Sequence, residues 1–275
     1  MLPASVGTAA PRHAGQDSRG RGEIVAGSAF VWTEDSFEQD VSAGAWVHEG
    51  LSRFADGDGG TVVGDVVPPV FEAYARVLHP AHRRTGPAAG EVEQVTWGEV
   101  AEANGRTAHP LMEWDFITAA TASRRQGQPG LWDTCPATGN LGGPTARALS
   151  AVLTSFTTTA DQCWFAIWEG HTNLDDVREH AERMRAGWME MFLIADSITA
   201  AGNRFRNLLS PNLWWPQDRA WCVATEIDLM TSYVGGFRQC IDAILASAEL
   251  EAFEVSAEMS VQWDSDTINP RPERS

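Results

Sequence analysis

The stretch "NLWWPQDRAWCVATEID", Asn212 to Asp228, decides how the rest of the chain is read. It gathers three of the chain's twelve tryptophans around one proline. Proline has no N–H for a ladder and is confined to strand edges and ends, so "NLWWPQD" is expected as a turn or loop. Beyond it "AWCVATEIDL" alternates. Trp221, Val223, Thr225, Ile227 and Leu229 share one face, and Cys222, Ala224, Glu226 and Asp228 the other, which is the period of a β-strand. Trp221 then belongs to the core. Adjacent loop tryptophans are not easily both buried, so one of Trp214 and Trp215 is expected to meet a ligand or partner.

Upstream, "CWFAIWEG" is apolar on both faces, the mark of a central strand. Pro144 suits a first helical turn, and Leu149, Val152, Leu153 and Phe156 extend an apolar face to about Phe156. "TWGEVAEANG" carries a capping box, Thr96 with Glu99, and Gly105 to close the helix. "FEAYARVLH" fits a helix through Phe71, Tyr74 and Leu78 and a strand through Phe71, Ala73, Ala75 and Val77; the strand is preferred. The β-branched "TVVGDVV" reads as a strand, and Trp46, Val47, Leu51 and Phe54 as a helix. From Leu174 an apolar stripe at 4-3 spacing meets Gly187, giving a helix to Arg185 and a strand over residues 189–194. Downstream, "SYVGG" reads as a turn, Phe237, Cys240, Ile241, Ile244 and Leu245 as a helix face, and "LEAFEV" as a last strand.

Helices and strands at irregular intervals, without βαβ alternation or a glycine-rich phosphate turn, predict an α+β fold with a mixed or mostly antiparallel sheet and helices packed on it. Residues 1–27 read as a disordered tail, 28–255 as the globular region with a weak boundary near 124–144, and 256–275 as an acidic flexible tail.

The net charge of −17 comes from 37 acids and 20 bases, all arginine. It repels phosphate backbones, and no basic stripe is present, so nucleic acid is not an expected partner. No run reaches the ~20 apolar residues of a membrane span, nor does the N-terminus carry a secretory core, so a cytoplasmic protein is expected. Cys135, Cys163, Cys222 and Cys240 stand far apart, as buried thiols do.

"FEAYARVLHP", "VTWGEVAEANGRTAHP", "CWFAIWEG", "NLWWPQDRAWCVATEID" and "YVGG", in this order, resemble a family of uncharacterised proteins from high-GC Gram-positive bacteria. The resemblance spans roughly residues 60 to 255. It implies one shared architecture and a cytoplasmic bacterial setting, and it carries over no catalytic residues.

Glu226 and Asp228, two apart on one strand face, would bring their carboxylates to ~7 Å, a separation suited to acid–base work in a hydrolase or transferase. A solvent face, or acids paired with Arg219, is the plainer reading. Cys222 shares that face but has no adjacent base, and His79, His82 and His109 flank prolines without ligand spacing. Gly235 and Gly236 before a helix offer amides to an anion or, more simply, turn the chain. No HExxH, GxSxG or Walker pattern occurs, and no cofactor is implied. The expected function is a non-enzymatic binding or interaction protein, of the immunity or regulatory-adaptor kind. A basic protein partner would be held through Trp214, Trp215, Asp218, Arg219, Glu226 and Asp228. Oligomeric state is left open.

Overall fold

The computed structural model describes residues 31–51, 61–86, 91–119, 122, 126–172, 174–205 and 209–272. The expected N-terminal tail and Phe54 lie outside these. The chain opens with β1 (Val31–Trp32), α1 (Ala45–Leu51) and α2 (Val63–Val66). β2 (Ala73–Leu78), β3 (Ala81–Arg84), β4 (Val92–Val95), α3 (Trp97–Ala103), α4 (Trp114–Ile117) and α5 (Gly143–Leu153) follow. Next come β5 (Cys163–Trp168), α6 (Asp175–His180), β6 (Arg183–Ala186), β7 (Met189–Asp196) and β8 (Arg204–Phe205). The chain finishes with β9 (Leu213–Pro216), β10 (Trp221–Ala224), β11 (Thr231–Gly236), α7 (Arg238–Leu245) and β12 (Ala252–Val255).

Eight strands form one antiparallel sheet in the order β12-β2-β11-β10-β9-β5-β7-β6, so the fold is α+β. The sheet is covered on both faces. Trp214, Trp221, Val223, Phe165 and Ala75 turn into a core with α5 and α7, while Trp215, Cys222, Ala224 and Tyr74 turn into a second core with α1 and α2. A third cluster, built on Trp97, Trp114 and Trp132 in T-shaped contact, closes the end of β2.

The capping box of α3 forms as the sequence predicts: Glu99 N–H donates to Thr96 Oγ1 at 3.1 Å, Thr96 N–H donates to Glu99 Oε2 at 2.7 Å, and Gly105 has φ +63°. β2, β5, β7, β12, α5 and α7 also stand where the pattern puts them.

Five expectations are corrected. "NLWWPQD" is no loop: residues 213–216 form the interior strand β9, and both tryptophans are buried, Trp214 at 2% exposure and Trp215 at 1%. Successive side chains on a strand point to opposite faces, so in a sheet covered on both sides neighbours are buried in different cores. Pro216 is tolerated because it ends the strand; the β9–β10 ladder covers only Trp214↔Val223 and Leu213↔Ala224.

The β-branched run over residues 61–67 holds the single helical turn α2, because Asp65 Oδ2 accepts Thr61 N–H at 2.8 Å and Val62 N–H at 3.1 Å while Gly64 N–H donates to Ala257 O. The β-branched propensity yields to the local Asp65 cap and to the long-range bond from Gly64 to Ala257. The helix expected to reach Arg185 ends at His180; Gly187, at φ +59°, then turns β6 into β7 with Ala186 paired to Met189, the two-residue hairpin that takes glycine first. "SYVGG" lies within β11 rather than in a turn, so Gly235 and Gly236 open no anion site. Gly235 is needed because a Cβ would run into the Phe71 ring.

Residues 256–272, expected as a loose end, pack back on the fold. Asp266 is buried and accepts His109 Nε2–H at 2.9 Å, and Asn269 bonds both backbone groups of Thr107 at 2.9 Å. Burial works against ionisation of Asp266, but bonds from Asn269, Ile268 and His109 outweigh it and hold the carboxyl below its ordinary range.

Candidate functional site

The six residues picked from sequence do not converge. Asp218 and Arg219 lie in the turn after β9, whereas Glu226 and Asp228 lie beyond the other end of β10, a four-residue strand or roughly 13 Å away. Asp218 accepts bonds from Thr157, Thr158 and Ala220; burial opposes its charge, yet these bonds win and keep its carboxyl low. Arg219, at φ +58°, rests its guanidinium 5.6 Å from the centre of the Trp46 ring. The expected strand-face carboxylate pair is not formed, since β10 ends at Ala224. Asp228 is exposed and donates its N–H to Glu226 Oε2 at 2.6 Å, an acidic turn rather than an acid–base pair.

Glu226 nevertheless belongs to a cavity. It lines a narrow slot with Asp65 of α2, Asn212, Thr225 and Trp188, floored by Leu51, Met191 and Leu213. The interior, about 20 Å³, holds one water-sized group. Burial pushes the Glu226 carboxyl up, aided by the nearby Asp228 charge, although the Asp228 N–H opposes it. Asp65 uses Oδ2 for the backbone of Thr61 and Val62, and Oδ1 has no hydrogen bond among the described residues.

Trp188 sits at the tip of the β6–β7 hairpin, 38% exposed. Its ring meets Trp168 edge-on at 6.2 Å, and Trp168 meets His171 at 5.4 Å. Asn212 ties this rim to the sheet: its Oδ1 accepts Trp168 N–H at 2.9 Å and His171 Nε2–H at 3.4 Å, and its Nδ2 donates to Thr225 O at 3.2 Å. Gly170 lets the Trp168 ring lie close, since a Cβ there would collide with it. Burial lowers the His171 pKa, so the rim histidine is neutral at pH 7. Trp188, Asp65 and Asn212 escaped sequence reasoning. The readable signal was "RMRAGWMEMF", two alternating segments about a Gly-Trp turn, which exposes the second turn residue.

The other candidates are structural. Cys222 is wholly buried, and burial raises its thiol far out of the nucleophilic range; burial likewise lifts Cys163 and Cys240 to about 12. His79 donates Nδ1–H to Ala137 O at 2.7 Å, so Nε2 accepts from Ser232 Oγ at 2.9 Å, and Ser232 Oγ in turn accepts from Thr225 at 2.6 Å. This has the form of a serine–histidine pair, but Ser232 is fully enclosed and no substrate reaches its hydroxyl. Among the described residues no three His, Cys, Asp or Glu side chains are grouped to hold a metal ion.

Burial drops His79 to about 4. A group depressed below its unfolded value of 6.5 stabilises the fold fully above pH 6.5 and loses that contribution as pH falls toward 4. The loss is about 3 kcal/mol. Urea unfolding at pH 7 and pH 4.5 is expected to show this loss in the wild type and much less of it in His79→Gln. An equal acid loss in both proteins would assign the effect elsewhere.

The chain matches no protein-family model, and comparison with curated proteins and with solved structures gives no match. No helix among the described residues is long and apolar enough to cross a membrane.

Proposed function

We propose that this is a binding protein that captures a lysine ammonium group on a basic partner protein. The carrying observation is the convergence of Asp65 and Glu226 on a water-sized slot beside the outward-held Trp188. An ammonium is a compact point charge of about that size, whereas a small-molecule substrate needs ~300 Å³ or more. Trp188 offers a ring face to the cation or its stem, and the net charge of −17 steers a basic partner toward the molecule. Trp214 and Trp215 take no part.

The test is calorimetric titration with a lysine-rich decapeptide and its fully acetylated counterpart, which keeps the stems and removes the charge. The lysine peptide is expected to bind, the acetylated one not. Trp188→Ala and Glu226→Gln should each weaken binding about ten-fold or more, or 1.4 kcal/mol. Because the Glu226 carboxyl is raised, binding should fade with acidification at a higher pH than an ordinary glutamate would give. Equal affinity for both peptides, or no effect of Glu226→Gln, overturns the reading.

A further inference from the structure

A second cavity, sharing no residue with the slot, opens on the opposite side of the sheet's centre. It lies between the end of β2, the start of α3, the first turns of α5 and the α7–β12 connection. Its volume, about 750 Å³, lies within the range of small-molecule sites. Buried Leu78 and Leu250, with half-buried Pro80 and Ala148, make an apolar floor, while Gln94 and Glu249 stand exposed at the rim.

Two polar groups face this apolar surface. Thr145 lines the cleft, is only 6% exposed, and its hydroxyl has no hydrogen-bond partner among the described residues. That hydroxyl opens onto the cleft and is free to accept a bond from a ligand's polar group. Glu251 already receives Trp97 N–H at 2.6 Å and Gly98 N–H at 2.7 Å, and a carboxylate has further lone pairs to offer. With Glu249 it makes the cleft acidic, and among the described residues no arginine or histidine lines it.

We infer that this cleft binds a small organic amine, an apolar body carrying one ammonium group, with the body on Leu78, Ala148 and Leu250 and the head toward Thr145 and the two glutamates. Anions are repelled by the lining, and a wholly apolar ligand leaves Thr145 unpartnered. The inference is independent of the lysine slot.

Three isosteric probes separate the contributions: phenethylamine, 2-phenylethanol and phenylacetate, followed by saturation-transfer NMR on the full chain. Phenethylamine is expected to bind with a Kd of about 1 mM or tighter, 2-phenylethanol more weakly, and phenylacetate at least about ten-fold more weakly than the amine. Ala148→Leu, which fills the floor, should remove binding of all three with the circular dichroism spectrum intact. Glu249→Arg, on the exposed rim, should narrow or invert the preference for amine over carboxylate, and this variant decides the matter if Ala148→Leu fails to fold. No signal from the amine at about 5 mM overturns the inference, as does equal binding of amine and carboxylate. Unchanged binding in a folded Ala148→Leu protein does the same.

Discussion

Replacing Arg76 by methionine is expected to cost about 3–5 kcal/mol of unfolding free energy. Arg76 stands in the middle of β2, 3% exposed. Its Nη1 donates to Pro110 O at 2.9 Å and Met112 O at 3.0 Å, its Nη2 to Glu113 Oε1 at 2.8 Å, and its guanidinium lies 5.7 Å from the centre of the Trp97 ring. Removing it strands two carbonyls and leaves the Glu113 carboxyl with only the bond from Ser265 Oγ at 3.2 Å. Burial already raises that carboxyl while Arg76 opposes the rise, so Glu113 in the variant is driven further toward its protonated form. The double variant Arg76→Met with Glu113→Gln should recover part of the loss, because the stranded charge is gone. Chemical denaturation of the four proteins as a cycle reads this directly. Additive losses would mean that the pair is not coupled.

Trp214→Ala and Trp215→Ala are each expected to lower stability by about 3–5 kcal/mol, a fall in Tm of about 10 °C or more. The two act in different cores. Trp214 stacks on Phe165 at 6.0 Å and meets Trp221 edge-on at 5.3 Å, whereas Trp215 meets Trp46 at 5.9 Å. Trp188→Ala should change stability by less than about 1 kcal/mol while impairing lysine-peptide binding. Thermal melts of the three variants separate scaffold tryptophans from the one assigned to binding. Melts of Trp214→Ala and Trp215→Ala within a degree or two of the wild type would refute the buried placement of the pair.

Signals that act locally were legible. The capping box at Thr96 uses side chains three residues apart, and the two-sided apolar run of β5 announces a strand with neighbours on both sides. What failed was punctuation. Pro216 and the Gly235–Gly236 pair look like chain breakers, yet the proline ends its strand and Gly235 makes room for Phe71. The burial of Trp214 and Trp215 in opposite directions needs the second layer, α1 and α2, whose contact with the sheet leaves no mark near residue 214. The slot was legible only through Glu226. Asp65, Trp188 and Asn212 come from three separate elements, and folding alone brings them together.

The strand order also sets a clock. β2 finds its two neighbours only in β11 and β12, with Val77 facing Ser232 on one side and Ala252 on the other. At roughly 5–20 residues per second of synthesis, β2 waits on the order of ten to thirty seconds for both partners to leave the ribosome. Throughout that interval "AYARVL" is a bare β-prone segment of the kind that pairs with other nascent chains. The arginine at its centre, later the anchor of a buried ion pair, serves in the meantime as the charge that keeps two such segments apart.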